Sequence, residues 1–226
     1  MSEKPNFAIM PSLASGGVSG GASAITLLAN EGFSATGDSG TVVTSAGPTY
    51  LTGNAFFVRK SRPTFVKLDA GTDPVNGPLY RFWAVADAAG NVDIKQLGFK
   101  VSAVGCQVSG LYLYDPSSSV VLTGKVAPTD GIAELPIGAV DDEKVLVIST
   151  TPKIYELRGT VTGYGQSGDS ITVEFARDMF APQDGTAHDV AVGSYNAWSD
   201  RSANAHTVYT HDWTNGSLLE DMSGIQ

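Results

Sequence analysis

Residues 153–175 read KIYELRGTVTGYGQSGDSITVEF, and the side-chain pattern of this stretch decides the fold class. Its second half alternates between apolar and polar side chains: Ile171, Thr172, Val173, Glu174 and Phe175. Because successive side chains of a β-strand point to opposite faces of the sheet, this alternation predicts a strand with one buried face. The first half alternates in the same way, with Tyr155, Leu157 and Val161 opposite Glu156, Arg158 and Thr160.

The same kind of apolar run recurs from residue 54 onward, at intervals of roughly 8–15 residues. Between the runs lie segments rich in Gly, Pro, Asn and Asp, which are the residues that tight turns require. Helical periodicity over a dozen residues does not occur there. The spacing predicts an all-β fold, an antiparallel β-sandwich over about residues 54–220 with less than one-tenth helix.

The composition disfavours some classes of function. The chain has 226 residues, 42% of them hydrophobic, so it can bury a sizeable core. Its net charge of −9 argues against a nucleic-acid partner, because no basic stripe is present to displace counterions from phosphates. No apolar run reaches the roughly 18–20 residues that span a bilayer, so no membrane-spanning segment is expected.

Residues 1–52 differ from the rest of the chain. The segment 11–22 is rich in Gly and Ser and reads as an extended linker, while AITLL (24–28) and TVVTS (41–45) are strand-like. This segment has too little core to fold alone. We therefore expect residues 24–52 to pack as strands on the main domain (53–226), or to act as an assembly arm that donates a strand to another copy.

The C-terminal stretch 196–226 contains two of the three tryptophans, Trp198 and Trp213, which flank a polar loop rich in Ser, Asn and Thr. Large rings that cover the end of a sandwich bury much apolar area. Nearby Asp200 and Asp212 can accept hydrogen bonds from loop amides, and Asn215 with the following glycine can form a tight turn. We interpret these five residues as a structural hook that closes the domain: Trp198, Asp200, Asp212, Trp213 and Asn215.

Two alternatives apply to the same loop. Exposed rings of Trp198 and Trp213 would make a sugar-binding platform, and His206 with His211 would make a zinc site. A spacing of five places the two histidines on opposite faces of a strand, which disfavours zinc.

The turn ADAAGNVD supplies the side-chain oxygens of Asp87, Asn91 and Asp93 and is a candidate calcium site. Calcium is thus the one cofactor that the sequence suggests. The single cysteine, Cys106, has no local base and reads as a small hydrophobic residue. No catalytic residues are predicted, and the chain is expected not to be an enzyme. The carboxylates at 141–143 are interpreted as a solvated turn.

Several stretches carry a resemblance, in the order they occur: NAFFVRKSRPTF, PLYRFWAVADAAGNVDIKQLGFKVS, VSGLYLYD, KIYELRGTVTG and NAWSDRSANAHTVYTHDWTNG. Over about residues 53–222 they resemble the C-terminal module of large Ig-like surface proteins of candidate phyla radiation bacteria. The segment before residue 50 matches poorly. The resemblance implies an Ig-like sandwich in an extracellular, cell-surface protein, S-layer-like or adhesive, whose partners are copies of itself or components of a host or cell surface.

Three hypotheses for function follow. The first is an extracellular structural or adhesive module that self-associates or binds partners through strand edges and loops. The second is an Ig-like structural protein of a virion, in a tail or capsid decoration; the absence of a signal-peptide core near the N-terminus favours it, unless the chain is a piece of a longer exported protein. The third is a carbohydrate-binding module with a glycan as its partner.

Overall fold

A computed structural model describes residues 59–139, 141–178 and 184–215, together with six short strands that precede residue 58. The chain divides into two compact units, Met1–Val58 and Arg59–Gln226. The linker predicted over residues 11–22 lies almost entirely outside the described residues, as does the end of the chain after Asn215. The two units are described in turn.

The first unit contains six strands: β1 (Ala22–Ser23), β2 (Thr26–Leu28), β3 (Ala35–Thr36), β4 (Val42–Val43), β5 (Tyr50–Thr52) and β6 (Phe56–Phe57). They pair in a nested antiparallel order, β1 with β6, β2 with β5 and β3 with β4. The β2–β5 and β3–β4 pairs follow one continuous register, whereas the β1–β6 pair is shifted from it by one residue. This nested order is that of a β-hairpin, and we call the six paired strands β1 to β6 the hairpin. Strands are found within residues 24–52 at β2 to β5, and their packing on the main domain or donation to another copy stays a prediction.

One sheet of the second unit has five antiparallel strands: β7 (Pro63–Leu68), β8 (Tyr80–Ala86), β10 (Gln107–Asp115), β11 (Val120–Val121) and β14 (Lys153–Thr162). Their order across the sheet is β11-β10-β14-β8-β7. The short strand β11 and the strand β7 thus lie at its two edges.

The other sheet has seven strands: β9 (Val92–Val104), β12 (Ile132–Pro136), β13 (Leu146–Ile148), β15 (Ser170–Phe175), β16 (Asp184–Gly185), β17 (Ala197–Ser199) and β18 (Trp213–Thr214). The long strand β9 pairs with four of them, β12 and β13 along one side and β15 and β17 along the other. From β17 the sheet continues through β18 to β16. All of these pairings are antiparallel.

The two alternating runs of residues 153–175 form β14 and β15, as the pattern predicts. On β15, Val173 and Phe175 are buried while Thr172 and Glu174 are exposed. The runs are not partners, because β14 pairs in the five-stranded sheet and β15 pairs with β9 in the other. The Gly-rich link between them therefore crosses from one sheet to the other.

The main core is shared by both sheets, and Phe175 lies among its aromatic rings. Its ring centroid is 4.7 Å from that of Phe99, 5.1 Å from that of Phe82 and 5.3 Å from that of Phe65. Phe65 and Phe82 come from the five-stranded sheet, whereas Phe99 and Phe175 come from the seven-stranded one. Offset and tilted ring pairs of this kind add to the free energy gained from apolar burial. The predicted all-β antiparallel sandwich-like fold is confirmed.

The outer face of the seven-stranded sheet is covered in part by a short helix, α1 (Ala187–Val192), which begins with a capping box between Thr186 and Asp189. A second apolar cluster lies there and includes Val190, Ala197 and Trp213. This explains why β9 is buried on both faces from residue 92 to 99. The helix has six residues and is the one helix of the described part of the chain, in agreement with the predicted low helix content.

Candidate functional site

The residues of the predicted hook converge at β17 and β18. Trp198 packs in the main core and Trp213 in the second cluster, and both side chains are 0% exposed. Asp200, Asp212 and Asn215 are also buried. A fully buried ring presents no face to a ligand, so the idea of a sugar platform on the two tryptophans is wrong.

A histidine between two carboxylates lies at the centre of this region. His206 Nδ1 is 2.9 Å from Asp212 Oδ2, and His206 Nε2 is 3.1 Å from Asp93 Oδ2. Arg201 Nη1 lies 3.4 Å from the other oxygen of Asp93, and Thr210 Oγ1 donates to Asp212 Oδ1 at 2.6 Å. We call Asp93, His206 and Asp212 the histidine clamp. It joins β9 to the loop between β17 and β18.

The clamp changes the proton affinity of its members. Burial lowers the pKa of His206, but its hydrogen bonds to Asp212 and Asp93 outweigh burial and raise the pKa to about 9. For Asp212, burial has the opposite effect and raises the pKa. Hydrogen bonds from His206 and Thr210 outweigh burial and hold the pKa of Asp212 well below its usual range. Near neutral pH the clamp therefore holds an imidazolium between two carboxylates.

Hydrogen bonds and constrained backbone angles fix the shape of the same loop. Asp200 accepts from the amide of Lys60 at 2.7 Å and from that of Ser202 at 3.1 Å. Arg201 and Ala205 both adopt the left-handed conformation, with φ of 54° and 60°. Non-glycine residues in this region are strained, and they persist where the surrounding contacts determine the conformation. The loop is thus held in one shape by hydrogen bonds within it and by a bond from Lys60.

Trp213 connects the clamp to the second apolar cluster. Its indole Nε1 donates to Thr207 O at 3.0 Å, and its ring centroid is 5.4 Å from that of His206. A buried indole thus satisfies its one donor on the loop that carries the histidine. The tight turn predicted at Asn215 extends into residue 216, which is outside the described residues.

The candidate calcium residues are placed in different surroundings. Asp87 accepts from the amides of Ala89 at 3.1 Å and Arg62 at 3.2 Å, and Asn91 is exposed. Asp93 is buried in the histidine clamp. Within the described ranges no group of three or more His, Cys, Asp or Glu side chains is arranged to hold a metal ion. Calcium binding at this turn stays a prediction.

The two candidate zinc ligands, His206 and His211, lie in different surroundings. His206 has both ring nitrogens bonded to carboxylates in the clamp, and His211 is exposed. Cys106 is partly exposed and its Sγ lies 3.9 Å from Ser170 O. In the part of the chain that the structure describes, no helix is long and apolar enough to cross a bilayer.

Sequence reasoning missed a buried lysine next to this region. Lys95 of β9 is 1% exposed, and its Nζ donates to Asp142 O at 2.7 Å, Asp142 Oδ1 at 2.9 Å and Lys144 O at 2.9 Å. The three donors of an ammonium group are thus all used. The turn at 141–143, predicted to be only solvated, holds this cation in place. The sequence does not indicate this contact, because Lys95 and Asp142 are 47 residues apart.

The titration of His206 predicts how stability depends on pH. Its pKa is higher in the folded chain (about 9) than in the unfolded chain (6.5), so its contribution is complete below pH 6.5 and is lost as pH rises through 9. We expect the free energy of unfolding to fall by on the order of 1–3 kcal/mol across this window. Urea unfolding from pH 6 to 9.5 measures it.

A His206→Gln chain provides the control for this pH dependence. Glutamine does not titrate, so the decline between pH 6.5 and 9 should disappear. The buried Tyr80 and Tyr155 do not confuse the result, because burial raises both pKa values to about 12 and their destabilising effect begins only where free tyrosine ionises, near pH 10. An equal decline in both proteins would assign the pH dependence to other groups.

Comparison of the chain with protein-family models, with characterised proteins and with solved structures gives no match to any of them. The resemblance to Ig-like surface proteins therefore stays a prediction that rests on the quoted residues.

Proposed function

We propose that the chain is an extracellular structural or adhesive module that self-associates through strand edges. The observation that carries the proposal is the hairpin of β1 to β6, in which each strand has one hydrogen-bonded neighbour among the described residues. A two-stranded ribbon is at best marginally stable in water, and both of its edges carry unpaired amide and carbonyl groups. Such a ribbon gains stability by pairing with a further strand.

The composition of the hairpin supports pairing with another chain. No lysine or arginine lies between Lys4 and Arg59, and the segment 22–57 has two charged residues, Glu31 and Asp38. Proteins ordinarily protect free edges with charged side chains, above all lysine, or with proline. The one proline of the segment, Pro48, precedes β5. The edges of this hairpin thus lack the usual protection against intermolecular pairing.

A second edge has the same character. The strand β11 closes one side of the five-stranded sheet, and its residues Val120 and Val121 are 47% and 51% exposed. Apolar β-branched side chains on an edge favour the addition of a strand. The resemblance to surface-layer and adhesive proteins is consistent with such a use.

The proposal predicts self-association that depends on the hairpin. Leu27 of β2 lies directly opposite Leu51 of β5, so lysine at both positions places like charges on one rung and weakens the ladder. We expect the unmodified chain to associate with rising concentration and the Leu27→Lys, Leu51→Lys chain to sediment as a monomer. Sedimentation velocity over a range of concentrations measures both.

The matched control is the pair Leu27→Lys and Leu51→Glu, which carries opposite charges on the same rung. It keeps the register and should recover much of the association. The thermal unfolding of the second unit should be alike in all three chains. A monomeric unmodified chain up to about 100 μM, a concentration where even weak specific contacts form, would refute the proposal.

A further inference from the structure

A groove of about 450 Å³ lies beside β12, the strand at the edge of the seven-stranded sheet. Its lining includes Asp130, Ile132, Glu134 and Tyr195. Neither of the strand-edge contacts discussed above involves this surface. Its chemistry is also different, because the groove combines carboxylates with apolar walls.

The hydrogen bonds of β12 show which of its backbone groups face the groove side. Val101 N–H donates to Gly131 O at 2.7 Å, and Ile137 N–H donates to Lys95 O at 2.8 Å. In an antiparallel ladder the direction of the amide alternates from one residue to the next. Residues 131, 133, 135 and 137 therefore bond to β9, and Glu134 directs its N–H and C=O away from β9.

The partner residue on β9 confirms this assignment. Gly98 is opposite Glu134, but its N–H donates to Asn196 Oδ1 at 3.2 Å and its C=O accepts from Ala176 N–H at 2.9 Å. Gly98 thus uses both groups on the other side of β9. Among the described residues, Glu134 has no backbone hydrogen-bond partner, so its N–H and C=O form one open rung at the sheet edge. The outward groups of Ile132 bond to Thr129, and Pro136 has no N–H.

Side chains complete the site next to this rung. Ala133 and Leu135 point into the main core, so the alternate residues Ile132 and Glu134 lie on the opposite face of the strand. Tyr195, half-buried, covers Gly98 so closely that a Cβ there would lie 2.6 Å from the Cβ of Tyr195. The open rung therefore has an aromatic ring and an apolar side chain beside it.

The charge of the groove selects the occupant. Asp130 and Glu134 are exposed, and neither carboxylate has a hydrogen-bond or ion-pair partner in the described part of the chain. The groove residues include no lysine or arginine. The nearest cation in the ladder is Lys100, which lies opposite Ile132 on β9. The hairpin of a second copy, which has no lysine or arginine between residues 5 and 58, complements these carboxylates poorly.

We propose that the β12 edge binds an extended peptide segment of a different protein that carries a lysine or arginine. The peptide pairs with the single rung at Glu134, and its basic side chain contacts the carboxylates of Asp130 and Glu134 in the groove. Main-chain hydrogen bonds provide affinity, and the charge contact provides selectivity. The proposed peptide site uses none of the hairpin residues, so its test does not depend on whether the chain self-associates.

The test uses the ¹⁵N-labelled full chain and two synthetic heptapeptides that alternate Thr and Val around a central residue, Lys in one and Glu in the other. With peptide up to about 2 mM, enough to detect weak binding, we expect the amide resonances of Ile132, Glu134 and Tyr195 to shift with the Lys peptide only. Absence of these shifts, equal shifts with the Glu peptide, or shifts confined to Val120 and Val121 would overturn the proposal.

Two variants, Glu134→Gln and Glu134→Pro, distinguish the contribution of the charge contact to peptide binding from that of the backbone hydrogen bonds. Glu134→Gln should weaken binding of the Lys peptide about two- to fivefold, as expected for an exposed ion pair. The matched control is Glu174→Gln, an exposed carboxylate on β15 outside the groove, which should leave binding unchanged. Equal weakening by both would show a general charge effect and overturn the site.

Glu134→Pro removes the outward N–H, which does not bond to β9, so an edge strand can tolerate the change. We expect loss of peptide binding while the resonances of the buried core are retained. Retained binding by this folded variant would refute strand addition. If this chain does not fold, the comparison of Glu134→Gln with Glu174→Gln still decides the proposal.

Discussion

Replacing His206 with alanine is expected to destabilise the folded chain by about 3 kcal/mol at pH 7, because two buried carboxylates lose the cation between them. The side chains of Asp93 and Asp212 are each 5% exposed. Asp93 would keep its contact with Arg201, and Asp212 its bond from Thr210, but the charge shared by both would be gone. Urea unfolding followed by tryptophan fluorescence measures the loss.

The control for this prediction is His211→Ala in the same loop. His211 is exposed, so its removal should change the free energy of unfolding by no more than about 0.5 kcal/mol. A second comparison, His206→Ala combined with Asp212→Asn, removes one of the stranded charges and should recover part of the lost stability. If His206→Ala and His211→Ala behave alike, the clamp does not stabilise the fold.

The long strands of the second unit could be predicted from the sequence because they have a local signal, whereas the short strands β16, β17 and β18 have none. Val173 and Phe175 alternate with polar residues, and the alternation directly specifies one buried face. The partner of each strand has no such signal. The runs of β14 and β15 follow one another along the chain, yet they lie in different sheets, because alternation identifies a face and does not identify a neighbour.

The histidine clamp could not be predicted for the same reason. His206 and Asp93 are 113 residues apart and meet only because β17 pairs with β9. Local spacing instead associated Asp93 with Asp87 and Asn91 as calcium ligands. On a strand next to a turn, however, the long-range partner decides the environment of the carboxylate. The aromatic members of the hook were easier to identify, since tryptophan side chains are highly buried on average.

Lys95 shows a related limit. A lysine within an apolar strand is ordinarily expected on a solvated face, because an unpaired buried ammonium is very unfavourable. Here the outer face of β9 is covered, and Asp142 with the carbonyl of Lys144 binds the ammonium group. The sequence shows a strand and an acidic turn, but only the folded chain shows that they form one structural unit.

Replacing Trp213 with alanine is expected to have the largest effect on stability, a loss of about 3–5 kcal/mol, because it leaves a large cavity under the loop that carries His206. The ring is 0% exposed and packs against Val190, Ala197 and Val208 in the second cluster. The substitution also removes the indole bond to Thr207 O and the ring contact with His206. Circular dichroism during urea unfolding measures the loss without relying on the removed fluorophore.

Two further variants identify the source of this stabilisation. Trp213→Phe keeps most of the apolar ring but lacks the N–H donor, so we expect a smaller loss of about 1–2 kcal/mol. Tyr209→Ala removes an aromatic ring from the same loop, but that side chain is 60% exposed, and its loss should be about 1 kcal/mol or less. If Trp213→Ala lowered the free energy of unfolding no more than Tyr209→Ala does, packing of the indole would not stabilise the loop. A large loss for alanine with a small one for phenylalanine would instead establish that Trp213 joins the clamp to the sheet by packing.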